Sequence, residues 1–479
     1  MTNAQKLAQW IIGYRAVQTE SADLERAKDL LLDHLGVLLV GAAEAPSARA
    51  GFDYAAALGG AAEATLLSPN AARVPAESAA FAHAAAAHAV ELDDIHNPSS
   101  AHPGVAVIPA ALAVAEAFDR SGREPIEAIL VGYEVMLRVG EAAGPTAVYG
   151  RGFHPTAVCG PFGAVAAAAR LMRLDVERTV HALGIAWSFA AGNMSFQTEG
   201  SWIKRLQVGG AASAGVRAAR LASLGATGPS RVFEADGFFA SYAGRFDEAK
   251  LLGGLGERLK IGEVGLKPFA CCRYSQTPLD ALLELRAERA IDPGRVRRIR
   301  IEIASTGLPL VALPIERKRA PRDEVEAQFS LPYAAAAALI SGRAGREQFR
   351  EPSLSDRRVL ELASRVEIGS DERIDALFPD KWAARVRVEL EGETRERFAE
   401  DCLGDPAKPM NRAAVREKFD SLASAAIDAD SRRRVAELVA EIDRRPRAAE
   451  LVESLAAGFM TAGARGARGK DLEAQRSIR

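Results

Sequence analysis

Cysteine is scarce in this chain, four residues in 479, at positions 159, 271, 272 and 402. None forms a C-x-x-C pair, and the adjacent Cys271 and Cys272 are poorly placed to bridge to each other. A disulfide framework is therefore not expected, and reduced thiols in a cytosol are. An excess of one charge is missing too: 61 Lys and Arg stand against 63 Asp and Glu, a net charge of −2. No global field would hold nucleic acid or an anionic membrane, so charge must act locally. Long apolar runs are absent because His, Glu or Arg cuts each alanine stretch before the ~20 residues a bilayer requires. The amino terminus, MTNAQKLAQWIIGYR, lacks a continuous apolar region with a cleavage site. A soluble, unprocessed cytoplasmic protein is expected, and its length suggests about two or three domains.

What is abundant is acid/base capacity in one place. Four of the seven histidines lie between His83 and His102, in the run HAAAAHAVELDDIHNPSSAHPG, with Glu91, Asp93 and Asp94 in its middle. A packed core avoids such a cluster and a proton-transfer site needs one. This points to an enzyme.

The surrounding text is helical. After Ser21, Leu24, Ala27, Leu31 and Leu35 recur at helical spacing, and similar Ala/Leu-rich periods occupy about 76–92, 104–121, 124–143, 158–172, 175–191 and 203–225. Small residues over 164–169 and 208–219 suit helices buried on several sides. After about residue 265 the texture changes. Val296–Ile303 and Ala384–Leu390 alternate apolar and charged residues, and Glu391-Gly392 supplies a hairpin turn into 394–398. With helical stretches near 278–290, 323–341 and 355–364 between them, these strands predict a small α+β domain with an antiparallel sheet. The helical period returns over 411–424, 430–444 and 448–457. The reading is a mainly α protein: a large all-helical domain built from both ends of the chain (1–265 plus 405–460), an α+β domain over 266–404, and a disordered tail over 461–479.

Several segments carry a resemblance: Glu91–His96 (ELDDIH) followed by His102-Pro103-Gly104, Gly132-Tyr133-Glu134, Gly152–Thr156 (GFHPT), Lys204-Arg205-Leu206, Lys267-Pro268-Phe269 and Phe329–Tyr333 (FSLPY). Together, in this order, they resemble the MmgE/PrpD family from about residue 5 to 460. The resemblance implies a helical domain with an inserted α+β lid. It also implies a homodimer, no metal or organic cofactor, and dehydration, decarboxylation or epimerisation of small carboxylic acids.

Removing a proton next to a carboxylate needs a base of suitable pKa and cations to hold the developing charge. Asp93 and Asp94 are neighbours, so whichever enters an enclosed pocket has its pKa raised by burial and by the other's charge, and one of the two is expected as the base that abstracts the proton. His102, before Pro103-Gly104, stands at a helix entrance, and His154 sits in a Gly-rich turn before another helix. Either histidine can protonate a departing hydroxyl, and Lys204 can pair with a substrate carboxylate. Tyr333 is expected as a proton relay. Glu91, Lys267, Cys272, Arg273 and Gln276 are expected at the substrate, with Arg273 as a bidentate clamp. A nucleophilic cysteine is disfavoured, because buried thiols without a base are inert.

Within the resemblance, the cis-aconitate decarboxylase branch has an Asp near the place of Glu91 and histidines near those of Cys272 and Gln276, so decarboxylation is weighed down. The expectation is a hydro-lyase of the 2-methylcitrate dehydratase kind, acting on a small di- or tricarboxylic acid. Decarboxylation of cis-aconitate and epimerisation of an iminodicarboxylate are the alternatives within the family, and a catalytically silent organic-acid-binding protein lies outside it. A metal site from Asp93, Asp94, His96 and His102 competes weakly, since no H-E-x-x-H pair accompanies it. Gly463–Lys470 fails as a P-loop. The spatial requirement is that the stretches around 93, 154 and 204 meet at one cleft.

Overall fold

The computed structural model describes residues 1–15, 21–68 and 71–459. Its first half is helical: α1 (Asn3–Gly13), α2 (Ser21–Glu44), α3 (Pro46–Leu58), α4 (Ala76–Ala87), α5 (Pro103–Ala117), α6 (Arg123–Ala143), α7 (Pro145–Gly150), α8 (Pro155–Leu171), α9 (Val176–Phe189), α10 (Phe196–Glu199) and α11 (Ile203–Ser223). Thr2 starts α1 with a reciprocal cap, its hydroxyl accepting the Gln5 N–H while the Gln5 side chain accepts the Thr2 N–H. α2 is buried almost without a break from Ala27 to Gly41 because α4, α6 and the late helix Arg412–Ala423 cover different sides of it. α6 and α8 come together at Gly132 and Gly163. A Cβ on Gly163 would stand 2.8 Å from the Gly132 carbonyl oxygen, so only bare backbone permits that approach.

One apolar core runs from Ala4 to Leu266 and takes in Val415 to Phe459, so the first and last helices share it. A second core runs from Ala270 to Leu390 and also includes Val37 and Val40 of α2, Ala89, Val90, Leu92, Phe196 and Leu422. The segment between α4 and α5 lies where the two cores meet. Among the described residues, no single helix is long and apolar enough to cross a membrane.

Three strand pairings place the rest. β1 (Ala64–Thr65) and β2 (Arg73–Val74) form a short antiparallel pair, and β3 (Asp94–His96) pairs antiparallel with β4 (Val264–Leu266). The third group is a sheet in the order β6-β5-β7-β8, made of β5 (Val296–Ile303), β6 (Val366–Ser370), β7 (Ala384–Leu390) and β8 (Glu393–Ala399). β7 and β8 form the expected hairpin, with Gly392 at φ +80° in the turn. The sheet is mixed, which corrects the antiparallel expectation: β6 runs parallel to β5. The long helical crossover from 305 to 364 allows that direction, which a tight turn would forbid. Two helix readings are also corrected. The 76–92 helix stops at Ala87, where the chain turns into β3, and the 323–341 helix is broken at Phe329-Ser330, where Ser330 accepts the Tyr333 N–H and caps Leu331–Ser341. The tail expected to be disordered, 461–479, and with it Gly463–Lys470, lies outside the described residues.

Candidate active site

Two histidines cap two helices that start side by side. His102 precedes Pro103 at the start of α5 and His154 precedes Pro155 at the start of α8, and each has the extended backbone that a following proline demands (φ, ψ −105°, 89° and −95°, 113°). The His102 N–H donates to Thr156 Oγ1 at 3.1 Å, tying the two starts together. Both positive helix ends therefore face one region, which favours an anion there and a neutral imidazole.

The β3–β4 pairing brings a distant lysine beside the acids. Asp94 lies opposite Leu266, so Lys267 follows directly and its Nζ stands 3.0 Å from Asp93 Oδ1 and 3.3 Å from Glu91 Oε2. Alternation along the strand sends the two aspartates to opposite sides. Asp94 turns into the helices, accepting the Gly104 N–H at 3.0 Å and the Tyr133 hydroxyl at 2.7 Å. Burial, with the Asp93 charge beside it, raises its pKa to about 7. Asp93 faces the histidines, with Oδ2 2.8 Å from His88 Nδ1 and 3.0 Å from His102 Nδ1. Burial would raise the Asp93 pKa, but His102, Lys267 and His88 outweigh it and hold the group well below its ordinary range. Of the two aspartates, the one that can hold a proton near neutrality is the one turned away from the histidines.

The same contacts fix the His102 tautomer. Its Nδ1 lies 2.6 Å from the Asp94 carbonyl oxygen as well as near Asp93, and both partners only accept. Nδ1 therefore carries the proton and Nε2 keeps its lone pair, a base held ready by an anionic orienting group. Burial keeps the ring's pKa below the usual histidine value.

α11 supplies the cation. Lys204 Nζ pairs with Glu91 Oε1 and lies 5.3 Å from the centre of the Phe329 ring. Glu91 adopts φ +56°, uncommon without a glycine, and this turns its carboxylate between the two ammonium groups. Burial opposes ionisation of Glu91, yet Lys204 and Lys267 more than offset it and the acid stays charged. Lys267 itself is fully buried behind this layer.

A cavity of about 30 Å³ lies where these groups meet, lined by Glu91, His102, His154, Lys204, Cys272 and Arg273 and walled by Ile95, Tyr149, Met194, Phe196, Tyr274, Leu310, Phe329 and Trp382. That is room for roughly one water molecule. Its wall draws on both sides of the chain, with helix starts on one and residues 272–274, 310, 329 and 382 on the other.

The structure brings 93, 154 and 204 to this one place, but several expected site residues are engaged elsewhere. Arg273 lines the cavity, yet its Nη2 donates to both Asp405 oxygens (2.8 and 2.9 Å), its Nη1 to Thr277 Oγ1 and its Nε to Asn97 Oδ1, so every nitrogen of the expected clamp is already engaged by the protein. The Tyr333 hydroxyl donates to the Gln348 carbonyl at 2.7 Å, lies off the cavity, and has a pKa pushed by burial to about 12, which corrects its reading as a proton relay. Gln276 braces the backbone of 269–271 and does not reach the cavity, because its amide is consumed there. Cys272 does line it, but burial raises the thiol's pKa, so it is a poor nucleophile.

The competing metal set does not converge either. Asp94 turns to Tyr133, and His96 Nε2 points to Glu141 and Glu263, 3.6 and 3.4 Å away. His96, Glu141 and Glu263 are close enough to share a cation, and the Lys260 ammonium, 2.7 Å from Glu141 Oε1, already supplies one.

Sequence reasoning missed His88 and Gln207. His88 is fully buried on Asp93, with its ring 5.1 Å from that of His102 and 5.8 Å from that of His154, and burial pushes its pKa to about 3. Its place five residues before Asp93, in the histidine-rich run, was the available signal. Gln207 follows Lys204 by one helical turn and meets His154 Nδ1 at 3.1 Å.

Residues 5–249 match the MmgE/PrpD N-terminal domain and residues 269–444 the MmgE/PrpD C-terminal domain. The chain is 29% identical to the cis-aconitate decarboxylase-like protein oryM of Aspergillus oryzae, over 93% of this chain and 96% of that protein. It is 28% identical to the cis-aconitate decarboxylase of Aspergillus terreus (94% and 95% covered) and 30% identical to that of Homo sapiens (75% of each). With both halves of the chain matched in order, it belongs to the MmgE/PrpD family.

Proposed function

We propose that this chain is a cofactor-independent lyase that removes a proton next to a carboxylate of a small di- or tricarboxylic acid, such as 2-methylcitrate, and expels water. The observation that carries this reading is the pair of histidines on one cavity. His102 presents an Nε2 lone pair oriented by Asp93, and His154 stands across from it. His102 takes the proton, the electron pair left behind forms the carbon–carbon double bond as the C–O bond breaks, and His154 protonates the departing hydroxyl to water. Lys204 holds a carboxylate of the substrate and stabilises the charge that develops on it, exchanging part of its pairing with Glu91. Asp93 takes the orienting role rather than that of base, because the cations around it keep it ionised.

A cavity with room for one water cannot take such an acid, so the part of the chain over 266–404 acts as a lid that swings away to admit it. The working form is a cytoplasmic homodimer, and the open groove lined by the exposed side chains of Tyr54, Leu58, Phe189 and Ile203 is an apolar surface suited to contact with the second copy.

A second reading is decarboxylation of cis-aconitate, favoured by the names of the relatives. It also passes through a carbanion beside a carboxylate, but a C–C bond breaks, CO2 leaves, and a histidine returns a proton to carbon. Incubation of the metal-free protein with 2-methylcitrate, citrate and cis-aconitate separates the two. Growth of the unsaturated product's absorbance supports dehydration, and CO2 release with a decarboxylated product by NMR supports the alternative. No turnover of any of the three rejects both substrate assignments.

A further inference from the structure

We propose that Gln207 is a positioning residue that fixes the His154 proton on Nε2 and so presets this ring as the proton donor opposite His102. The donor role rests on the reading above; the place of the proton does not.

The geometry starts with a short backbone bridge. Phe153 and Asn193 pair as an isolated antiparallel bridge, with the His154 N–H donating to the Gly192 carbonyl at 3.2 Å. Gln207 sits over this bridge and its amide is held at both ends. The Asn193 N–H donates to Oε1 at 3.0 Å, and Nε2 donates to the Asn193 carbonyl at 3.2 Å. A backbone N–H can only donate and a carbonyl can only accept, so the amide has one allowed orientation. The flipped amide would set donor against donor and acceptor against acceptor.

That orientation points the Nε2 hydrogens of Gln207 at His154 Nδ1, 3.1 Å away, and Nδ1 must therefore be the acceptor. Burial, together with Lys204 and the neighbouring rings of His88 and His102, keeps the imidazole neutral, so its one proton lies on Nε2. His102 is set the opposite way by two acceptors at its Nδ1. One cavity thus holds one histidine with a lone pair and one with a proton, each fixed by a partner outside the cavity wall. Gly192 makes the approach possible: at φ +148° it has no Cβ, and a Cβ there would stand 2.3 Å from Ala157 Cβ and 3.2 Å from the Gln207 amide. Lys204 and Gln207 share one face of α11, so a single helix supplies the cation and the proton's address.

The test reads the ring nitrogens directly. In full-length protein labelled with 15N-histidine, with the His154 signals assigned by their loss in His154→Gln, the wild type is expected to show a protonated Nε2 and a bare Nδ1. Gln207→Glu replaces the donor with an acceptor and is expected to bring a proton to Nδ1, while kcat falls by about 100-fold and KM stays within about two-fold. Gln207 is only partly buried and faces an open groove, so Gln207→Glu retains the fold. A protonated Nδ1 in the wild type, or His154 nitrogens unchanged in Gln207→Glu, would overturn the proposal. If the wild type turns over none of the acids tried, the reaction assigned above fails while the nitrogen signals still decide the role of Gln207.

Discussion

A guanidinium that lines a cavity invites assignment as an anion clamp, and Arg273 shows why its partners must be counted first. Its Nη2 is taken by Asp405, its Nη1 by Thr277 and its Nε by Asn97, and its face lies 5.2 Å from the Trp382 ring centre. Arg273→Met would leave Asp405 buried without its counter-charge, a loss of about 3–5 kcal/mol. Urea unfolding is expected to show that loss, and the double variant Arg273→Met/Asp405→Leu to recover much of it. A clamp for substrate would instead raise KM with stability unchanged. The residue types at the site were legible because His102 and His154 stand directly before prolines and Lys204 stands in the short motif Lys204-Arg205-Leu206. Their partners were not. Whether Asp93 or Asp94 faces the histidines depends on strand pleat, and whether Arg273 is free depends on Asp405, 132 positions away, and no local spacing encodes either.

Helices in this protein are spaced by what they lack. α6 meets α8 backbone to backbone, with Val107 of α5 packed into the same joint beside Gly132 and Gly163. Gly163→Val would force the Gly132 carbonyl and Met136 aside, at about 1–3 kcal/mol by denaturant unfolding. Because His154 caps the start of α8, the same change is expected to lower activity more than a substitution of equal destabilisation on the helix 429–440. An equal loss in both would separate the packing from the site. Most helices were readable from their 3.6-residue apolar period, and β5, β7 and the hairpin into β8 from alternation. β3, β4 and β6 were not: the first two are three residues long and gain their partners from 170 positions away, and β6 is a half-exposed five-residue strand defined by the neighbour it runs beside. The early stop of α4 also had no local signal, since AHAVEL continues the helical pattern until tertiary pairing overrides it.

Across the whole molecule, buried histidines set the response to acid. Burial holds His34, His83 and His88 to about 3, 4 and 3, against 6.5 when unfolded. Between about pH 6.5 and 4 the unfolded chain binds protons at these sites and the folded one does not. Stability present above pH 6.5 is therefore lost as the pH falls, by up to about 1.4 kcal/mol per pH unit for each histidine. Asp94 works the other way: folded, it keeps a proton up to about 7 that the unfolded chain releases near 3.8, so its contribution shrinks as pH rises through that window. His102 and His154 are held down in the same way, and burial raises Asp29, Asp33, Glu134 and Glu324 as it raises Asp94, so one histidine is read by difference. From pH 7 to pH 5 the urea midpoint of His83→Gln is expected to fall less, or rise more, than that of the wild type. The same pH response in both proteins would show that the His83 ring gains its proton without unfolding. The shared core of the two chain ends carries a further consequence. α2 waits for Arg412–Ala423 to cover one of its sides, and those residues are synthesised long after it. During synthesis the early helices must therefore persist as an unfinished bundle, in need of shelter, until that later helix arrives to close it.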